Sequence, residues 1–300
     1  MRIVFYGTPE FAVASLESMI SHGLHVVAVV TSPDKPAGRG MHLQQSAVKQ
    51  CALKHGLPVL QPVNLKAPEF LNELKVYNPD IQVIIAFRML PESVWNFPRL
   101  GTMNLHASLL PNYRGAAPIN RAIMNGETET GVTTFFLKHA IDTGDIILQE
   151  KVTISDEDDA GTLHDKLMTI GADLVIKTLR LIESGNYKEY PQQELSNHQT
   201  APKLFTADCE INWNKRLKHV SDQIRGLSPY PGAFTKYQDK ILKIYKGHGE
   251  LLEVDQPGKF EISNEKRFRI SAADGWYYPE IVQPEGKRKM PVQDFLNGLK

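Results

Sequence analysis

The chain has 300 residues, of which 42 % are hydrophobic and 23 % are charged, and this composition excludes an intrinsically disordered protein. Two cysteines are too few for a disulfide scaffold or a four-cysteine zinc site, and no apolar run approaches the ~18 residues of a membrane span, so a cytoplasmic protein without membrane contact is expected. The 34 Lys and Arg residues balance the 34 Asp and Glu residues, which at first argues against a nucleic-acid partner.

Short apolar runs alternate with helical periodicity through the first half of the chain. Because apolar residues occupy both faces of the first three runs, helices are expected to cover both sides of a mostly parallel sheet. The pattern predicts a doubly wound, Rossmann-like α/β fold whose ligands bind beyond the carboxyl ends of the strands. The predicted strands are Ile3–Tyr6, His25–Val30, Gln82–Phe87 and Thr102–His106, and the predicted helices are Phe11–Ser21, Ser46–His55 and Pro68–Tyr77.

The second half changes character. Two apolar runs, Val132–Leu137 and Ile146–Ile154, predict a hairpin around a polar turn, and the acidic run Asp156–Asp159 predicts the carboxylate-rich start of a helix over Thr162–Ser184. Periodicity is then lost, which predicts a linker before a small OB-like β-barrel. The predicted domains are 1–189, a linker over 190–208, and a barrel over 209–300. The barrel carries a helix at Asn214–Leu227 and strands at Ala233–Tyr237, Ile241–Tyr245, Lys259–Ile262, Phe268–Ile270 and Trp276–Val282.

Polar side chains alternate with apolar ones at the end of the fourth predicted strand. Asn104, His106 and Ser108 point to one face, where unpaired buried polar atoms would each cost roughly 1–3 kcal/mol. An amide donor beside an imidazole suits an oxyanion that develops at a carbonyl, and Asp142 in the polar turn is the candidate carboxylate that orients the ring. A structural histidine in a strand and turn-forming Asp are the alternative, and residue chemistry alone leaves both interpretations open.

The same residues resemble the folate-dependent formyltransferases. The resemblance rests on Asn104-Leu105-His106-Ala107-Ser108-Leu109-Leu110-Pro111 together with Asp142-Thr143-Gly144-Asp145. The loop Pro33–Gly40, the run Tyr113–Pro118 and the late Ser228-Pro229-Tyr230-Pro231 narrow it to the branch that acts on methionyl-tRNA. The resemblance covers nearly the whole chain and implies the formyltransferase fold for the first domain.

The resemblance implies transfer of the formyl group of 10-formyltetrahydrofolate to the α-amine of methionyl initiator tRNA, for translation initiation. Asn104, His106 and Asp142 fall on the family's catalytic residues: the amide and a protonated imidazole hold the oxyanion, while Asp142 supports the ring and, through water, helps to remove the proton of the amine. No metal and no nicotinamide are implied, and Gly7-Thr8-Pro9 is not a dinucleotide fingerprint. The family also favours a monomer.

Two segments are implied in folate binding. They are the segment Ser108, Leu109, Leu110, Pro111 and the loop Phe87, Arg88, Met89, Leu90, with the backbone of 138–142 beside the pterin ring. The loop departs from the family, which commonly has Ala-Tyr-Gly and one further residue before Leu-Pro. A shorter loop with arginine in place of glycine changes the backbone path, so its contacts with the pterin are left open.

The implied tRNA contacts are Lys35 and Arg39, in a Pro- and Gly-rich connection over Ser32–Gln45, and Lys203 in the linker. The charge balance also hides a split, since residues 1–205 carry 18 basic against 21 acidic residues and residues 206–300 carry 16 against 13. The basic residues of the second part occur at 214–218, 236–246 and 287–289, where a tRNA backbone would lie.

Other readings share the same catalytic trio. A glycinamide ribonucleotide formyltransferase needs only about the first two thirds of the chain, and a sugar-nucleotide N-formyltransferase has no use for the loop that contains Arg39. A 10-formyltetrahydrofolate hydrolase would keep the site and use water as acceptor. From another class, an inactive RNA-binding module would have no need of a positioned Asn, His and Asp.

Overall fold

The computed structural model describes residues 1–37, 42–193, 197–262 and 267–299. Contacts divide the chain into two compact units. Unit 1 comprises Met1–Arg114, Gly131–Val152 and Asp165–Thr200, and unit 2 comprises Gly115–Thr130, Thr153–His164 and Ala201–Lys300. The domain boundaries drawn from the sequence stay a prediction. Within the described residues, no helix combines the length and the apolar character needed to cross a membrane.

The helices and strands are numbered in chain order. The first part of the chain contains β1 (Arg2–Gly7), α1 (Glu10–Ser21), β2 (His25–Val30), β3 (Lys35–Ala37), β4 (His42–Gln44), α2 (Ala47–Lys54), β5 (Val59–Leu60), α3 (Pro68–Tyr77), β6 (Ile81–Ile85), α4 (Glu92–Trp95) and β7 (Thr102–His106). The middle contains β8 (Arg114–Gly115), α5 (Pro118–Met124), β9 (Glu129–Phe136), β10 (Ile146–Thr153), α6 (Ala160–Ser184), β11 (Thr200–Ala201), α7 (Thr206–Cys209) and α8 (Leu217–Gly226). The last part contains β12 (Ala233–Tyr237), β13 (Lys240–Glu250), β14 (Phe260–Ile262), β15 (Phe268–Ser271), β16 (Trp276–Pro284), β17 (Met290–Pro291) and α9 (Val292–Asn297).

Unit 1 is built on a seven-stranded sheet in the order β10-β9-β7-β6-β1-β2-β5. Strands β1, β2, β5, β6 and β7 pair in parallel, and β9 runs antiparallel to β7. The prediction of a doubly wound, mostly parallel sheet is therefore confirmed. Parallel neighbours end at one edge, so the loops after β1, β6 and β7 share the edge at which such sheets bind ligands.

The core of unit 1 explains why its strands are apolar on both faces. One buried cluster joins β1, β2 and β6 to α3 and α4, and it contains Val4, Tyr6, Ala28, Val30, Leu60, Leu65, Phe70, Leu74, Ile84, Leu90 and Val94. On α6, Gly171 brings the helix close to β7, since a Cβ there would lie 2.8 Å from Leu105 Cδ2. This packing fixes β7, the strand with the polar residues, between its neighbours.

The predicted connection over Ser32–Gln45 contains a short strand near each end. Strands β3 and β4 pair antiparallel, with Lys35 opposite Gln44 and Pro36 opposite Leu43. The prediction of an irregular Pro- and Gly-rich connection is wrong there, because proline is compatible with a short edge strand. Asp34 at its base accepts hydrogen bonds from Lys49 Nζ (2.6 Å) and Gln61 Nε2 (2.8 Å), and these bonds hold the pKa of the Asp34 carboxyl below its usual range.

Unit 2 contains an antiparallel sheet in the order β12-β13-β16-β15-β14, with β17 paired to β16. It forms a curled half-barrel, which confirms the prediction of an OB-like domain. Helix α8 packs on β13, and the core includes Trp213, Ile224, Leu242, Ile270 and Tyr277. Strand β13 extends five residues beyond the predicted Tyr245, because its glycine-containing end at Gly247–Glu250 lacks the residue types typical of strands but still pairs with β16.

The acidic run before α6 forms the helix start that the sequence predicts. Asp159 Oδ1 accepts a hydrogen bond from the Thr162 amide (2.8 Å), and α6 begins at the next residue after Asp159. Asp158 is buried, and its carboxylate accepts from the Ser155 amide (2.8 Å) and the Ser155 hydroxyl (2.9 Å). The Asp159 carboxylate therefore satisfies an amide group of the first helical turn, and the Asp158 carboxylate satisfies one in the segment before it.

Asp208 links two segments of unit 2 and gives a pH-dependent prediction. Its carboxylate accepts a hydrogen bond from the Phe205 amide (2.8 Å) and forms an ion pair with Arg121 (3.0 Å). Both contacts lower the pKa of Asp208, and the hydrogen bond from Phe205 has the larger effect. A lowered folded-state pKa adds stability above the unfolded value of about 3.9, and this stability is lost as pH falls through the folded value. Asp208→Asn should therefore lower the melting temperature at pH 7, and the difference from the wild type should vanish in thermal melts well below pH 3.9. A difference that is the same at every pH would contradict the expected role of the charge.

Candidate active site

Strand β7 holds Asn104 and His106 on one face at its carboxyl end. Asn104 pairs with Ile84 on β6 and with Phe135 on β9, so its backbone is fixed on both sides. His106 is 7 % exposed, and Asn104 is half-buried. The Asn104 carboxamide makes no hydrogen bond to any other residue that the structure describes. A half-buried amide on such a strand therefore retains its donors for a ligand.

His106 faces an oxygen atom at each ring nitrogen. Nε2 lies 2.8 Å from the carbonyl oxygen of Tyr113, and Nδ1 lies 3.8 Å from Oδ2 of Asp142. A carbonyl only accepts, so Nε2 carries the proton and donates it to Tyr113. The second distance is that of an ion pair and too long for a hydrogen bond. Nδ1 is therefore the nitrogen that the fold leaves for chemistry, with a carboxylate beside it.

The turn between β9 and β10 presents Asp142. Its side chain is only 11 % exposed, and its backbone is in the left-handed region at φ 54. Gly144 follows, and a Cβ at this position would collide with the carbonyl oxygen of Phe136. Glycine is therefore required here for reasons of space, because the turn passes directly over the end of β9, where the Phe136 amide donates to the Asp145 carbonyl (3.2 Å).

Two further residues hold this turn. The side-chain amide of Gln192 donates to the carbonyl oxygens of Asp142 (2.9 Å) and Gly144 (2.8 Å). Its oxygen accepts from Arg114 Nε (3.0 Å) and from one terminal nitrogen of the Arg114 guanidinium (2.6 Å). Neither role is predictable from the sequence, since Gln192 lies in a segment without periodicity and Arg114 is one of several residues in the run Tyr113–Pro118.

The segment after β7 is largely committed to internal contacts. Ser108 is fully buried and donates to the Asn112 carbonyl (2.6 Å), while the Thr133 hydroxyl donates to the Ser108 carbonyl (2.6 Å). Leu110 is also buried, whereas Leu109 and Pro111 are half-buried. The folate contacts expected from these residues stay a prediction, and the two half-buried ones offer the accessible surface.

The loop after β6 begins with Ala86 in the left-handed region, at φ 47. Arg88 donates to the backbone carbonyls of Val63 (2.9 Å) and Pro62, and its guanidinium lies 5.6 Å from the centre of the Phe87 ring. Phe87 is half-buried against Tyr6, Met89 is 72 % exposed, and Leu90 is buried in the core. Arg88 therefore ties the shortened loop to a neighbouring segment, which is a specific consequence of the departure from the family pattern.

The residues predicted to bind tRNA fall in three places. Lys35 is exposed on β3, and Arg39 lies outside the described residues. Lys203 is exposed in unit 2, with Nζ 5.9 Å from the centre of the Phe205 ring. In the basic run at 287–289, Lys289 is occupied, because its Nζ donates to the Pro229 carbonyl (3.2 Å) and lies 3.7 Å from the Tyr245 ring centre. These assignments stay predictions.

One group of potential metal ligands comes together among the described residues. Side-chain ligand atoms of Glu17 on α1 and of Cys51 and His55 at the end of α2 lie within 4.8 Å of one another. Lys54 already pairs with Glu17 (3.4 Å), and burial raises the pKa of the Cys51 thiol, which opposes the thiolate that a metal needs. The group shares no residue with the His106 site.

Comparison with known proteins places the chain in a family. Residues 1–179 match the family described as "Formyl transferase", and residues 203–300 match "Formyl transferase, C-terminal domain". The methionyl-tRNA formyltransferase of Parabacteroides distasonis is 50 % identical over 311 residues, which cover 100 % of this chain and 96 % of that protein.

Solved structures share the fold. WlaRD, a sugar 3N-formyl transferase solved with dTDP and 5-N-formyl-THF, has a TM-score of 0.70 at 24 % identity and matches over 96 % of this chain and 99 % of its own. HypX from Aquifex aeolicus in complex with tetrahydrofolic acid has a TM-score of 0.67 at 20 % identity, and this chain, 99 % covered, spans about half of it (47 %). At these identities the structures establish the fold alone. Because the relative from Parabacteroides distasonis aligns from end to end at half identity, the chain belongs to the methionyl-tRNA formyltransferases of the formyl transferase family.

Proposed function

We propose that the chain transfers the formyl group of 10-formyltetrahydrofolate to the α-amine of methionyl initiator tRNA. The observation that carries the proposal is the arrangement at the end of β7. The Asn104 amide shares a strand face with His106, whose Nδ1 lies 3.8 Å from the Asp142 carboxylate. An amide donor, an imidazole and a carboxylate together suit acyl transfer to an amine.

The residues divide the chemistry as follows. As the amine nitrogen bonds to the formyl carbon, the C=O electron pair moves to oxygen, and the Asn104 amide and the Nδ1–H of a protonated His106 donate to that oxygen. The hydrogen bond from His106 Nε2 to the Tyr113 carbonyl fixes the ring, so that Nδ1 keeps its orientation. Asp142 stabilises the charged ring and, through water, accepts the proton of the amine. The carbonyl re-forms as the bond to N10 of the folate breaks, and that nitrogen takes up a proton.

The folate substrate would lie along the edge formed by the loops after β6 and β7. Leu109 and Pro111 supply half-buried apolar surface, and Phe87 and Met89 supply more from the neighbouring loop. The Asn104 carboxamide, which has no partner among the described residues, supplies a donor for the transferred group. The buried Ser108, Leu110 and Leu90 would shape the backbone of these loops, and the backbone of Arg88 would run beside the pterin.

The tRNA substrate would be held by the loop that contains Lys35 and Arg39 and by the basic residues of unit 2, Lys203 among them. Exposed lysines bind phosphates and make nucleic-acid binding dependent on salt. The chain is expected to act as a monomer in the cytoplasm, and its chemistry uses no metal and no nicotinamide.

The test offers the purified chain 10-formyltetrahydrofolate with each of three acceptors: methionyl initiator tRNA, a dTDP-linked amino sugar, and water. Formyl-methionyl-tRNA should form, with tetrahydrofolate released in equal amount. Transfer to the amino sugar alone, or release of formate alone, would instead assign the site to a sugar-nucleotide N-formyltransferase or to a 10-formyltetrahydrofolate hydrolase.

Arg39→Ala should raise the KM for tRNA and leave the KM for folate unchanged, because Arg39 is proposed to contact phosphates of the acceptor arm. The slope of log KM against log salt should also fall by about 1, as expected for one lost phosphate contact. Arg99→Ala is a matched control, since Arg99 is an exposed arginine paired with Asp80 (3.4 Å). Equal effects of Arg39→Ala on both substrates would contradict the assignment of this loop to tRNA.

A further inference from the structure

Gln192 contacts the turn of Asp142 at two backbone oxygens. Its amide nitrogen donates to the carbonyls of Asp142 (2.9 Å) and Gly144 (2.8 Å), so both protons of the amide are directed at the turn. Asp142 has a left-handed backbone at φ 54. For a residue with a side chain this conformation persists only where the surroundings hold it, at a cost of order 1–3 kcal/mol. Gln192 supplies such a hold.

Arg114 fixes the other end of the same amide. Its Nε (3.0 Å) and a terminal nitrogen (2.6 Å) both donate to the Gln192 side-chain oxygen. The guanidinium therefore sets which end of the amide faces the turn, since a flipped amide would direct its NH₂ group at the cation. The half-buried Gln192 is thus held in one orientation.

The same segment also contacts the catalytic histidine. Tyr113, immediately before Arg114, has a left-handed backbone at φ 59, and its carbonyl oxygen accepts from His106 Nε2 at 2.8 Å. Two neighbouring residues therefore reach both sides of the site: the Tyr113 carbonyl fixes the ring of His106, and the Arg114 side chain fixes Asp142 through Gln192. These contacts together set the distance of 3.8 Å between His106 Nδ1 and Asp142 Oδ2.

We infer that Gln192 and Arg114 are positioning residues for the formyl transfer, which hold the Asp142 carboxylate at its distance from His106. The inference rests on the proposed function, because it assigns a purpose to the same site. Neither side chain touches the reacting atoms in this role. Replacing either residue is expected to lower kcat, because a carboxylate displaced by about 1 Å can cost on the order of 10²-fold in rate.

The test compares Gln192→Ala, Gln192→Glu and the neighbouring Gln193→Ala, an exposed glutamine that serves as the matched control. Gln192→Ala should lower kcat roughly 10-fold to 100-fold with both KM values and the melting temperature unchanged. Gln192→Glu keeps the acceptor for Arg114 but places an oxygen against two carbonyls, so it should be at least as impaired. A Glu variant with wild-type kcat would overturn the inference, because the tether to Arg114 alone would then suffice.

A double-mutant cycle separates positioning from general structure. In an Asp142→Asn background, where the carboxylate is gone, Gln192→Ala should cause no further loss of single-turnover rate. An equal loss in both backgrounds would overturn the inference. A crystal structure of Gln192→Ala should have the 142–144 turn displaced relative to His106, and an unmoved turn would also overturn it, whatever the acceptor proves to be. Lack of transfer to tRNA by the wild type would contradict only the proposed function.

Discussion

His106→Ala is expected to lower kcat for formyl transfer by about 10³-fold while leaving the folate KM nearly unchanged, since the ring acts on charge that develops in the transition state. The geometry gives the reason. Nε2 is used by the Tyr113 carbonyl at 2.8 Å, and Nδ1 remains for the reaction beside Asp142. Single-turnover kinetics with saturating tRNA measure the chemical step directly.

Two variants keep this result interpretable. His106→Gln retains an amide that can still donate to Tyr113, so it should fold normally and yet be nearly as inactive as the alanine variant. His25→Ala is the matched control, because His25 is an exposed histidine at the amino end of β2, away from the sheet edge that holds the site. A His106→Gln enzyme with near-normal turnover would remove the imidazole from the mechanism.

Much of the fold follows from local pattern. Strands β2 and β7, helix α3 and strand β12 begin and end where the apolar periodicity does, because turn residues lie next to each of them. The shared face of Asn104 and His106 is predictable for the same reason, since strand geometry puts alternate residues on one face. The placement of Asp142 in a turn is also predictable, because a polar turn between two apolar runs is recognisable without tertiary information.

What the sequence could not predict depends on contacts between distant segments. Gln192 holds a turn that precedes it by about fifty residues, and no periodicity marks a side chain that binds two backbone carbonyls. The segments Gly115–Thr130 and Thr153–His164 belong to unit 2 although they precede the predicted linker. Likewise, strands of three residues such as β3 are defined by the partner strand and not by their own composition.

The Asp142 turn leaves no room for a side chain at Gly144, and Gly144→Ala is expected to destabilise the fold by about 3 kcal/mol or more. An added Cβ would collide with the carbonyl oxygen of Phe136 and would lie 3.0 Å from the Phe135 ring. The first contact is with backbone at the end of β9, so a rotamer change cannot relieve it. The turn must move, or the hairpin must open, and either response carries Asp142 away from His106.

The measurement pairs thermal melts with kcat for Gly144→Ala and for Gly298→Ala. Gly298 has an ordinary φ of −86, and its added Cβ would meet only atoms at 3.4 Å or beyond, so that variant should behave like the wild type. The melting temperature of Gly144→Ala should fall by several degrees, as expected for a loss of about 3 kcal/mol. Its kcat should fall as far as in Asp142→Asn, because the displaced turn moves the carboxylate away from His106. A melting temperature or a kcat equal to that of the wild type would contradict the described path of the turn, because the backbone has no room for a side-chain atom against the Phe136 carbonyl.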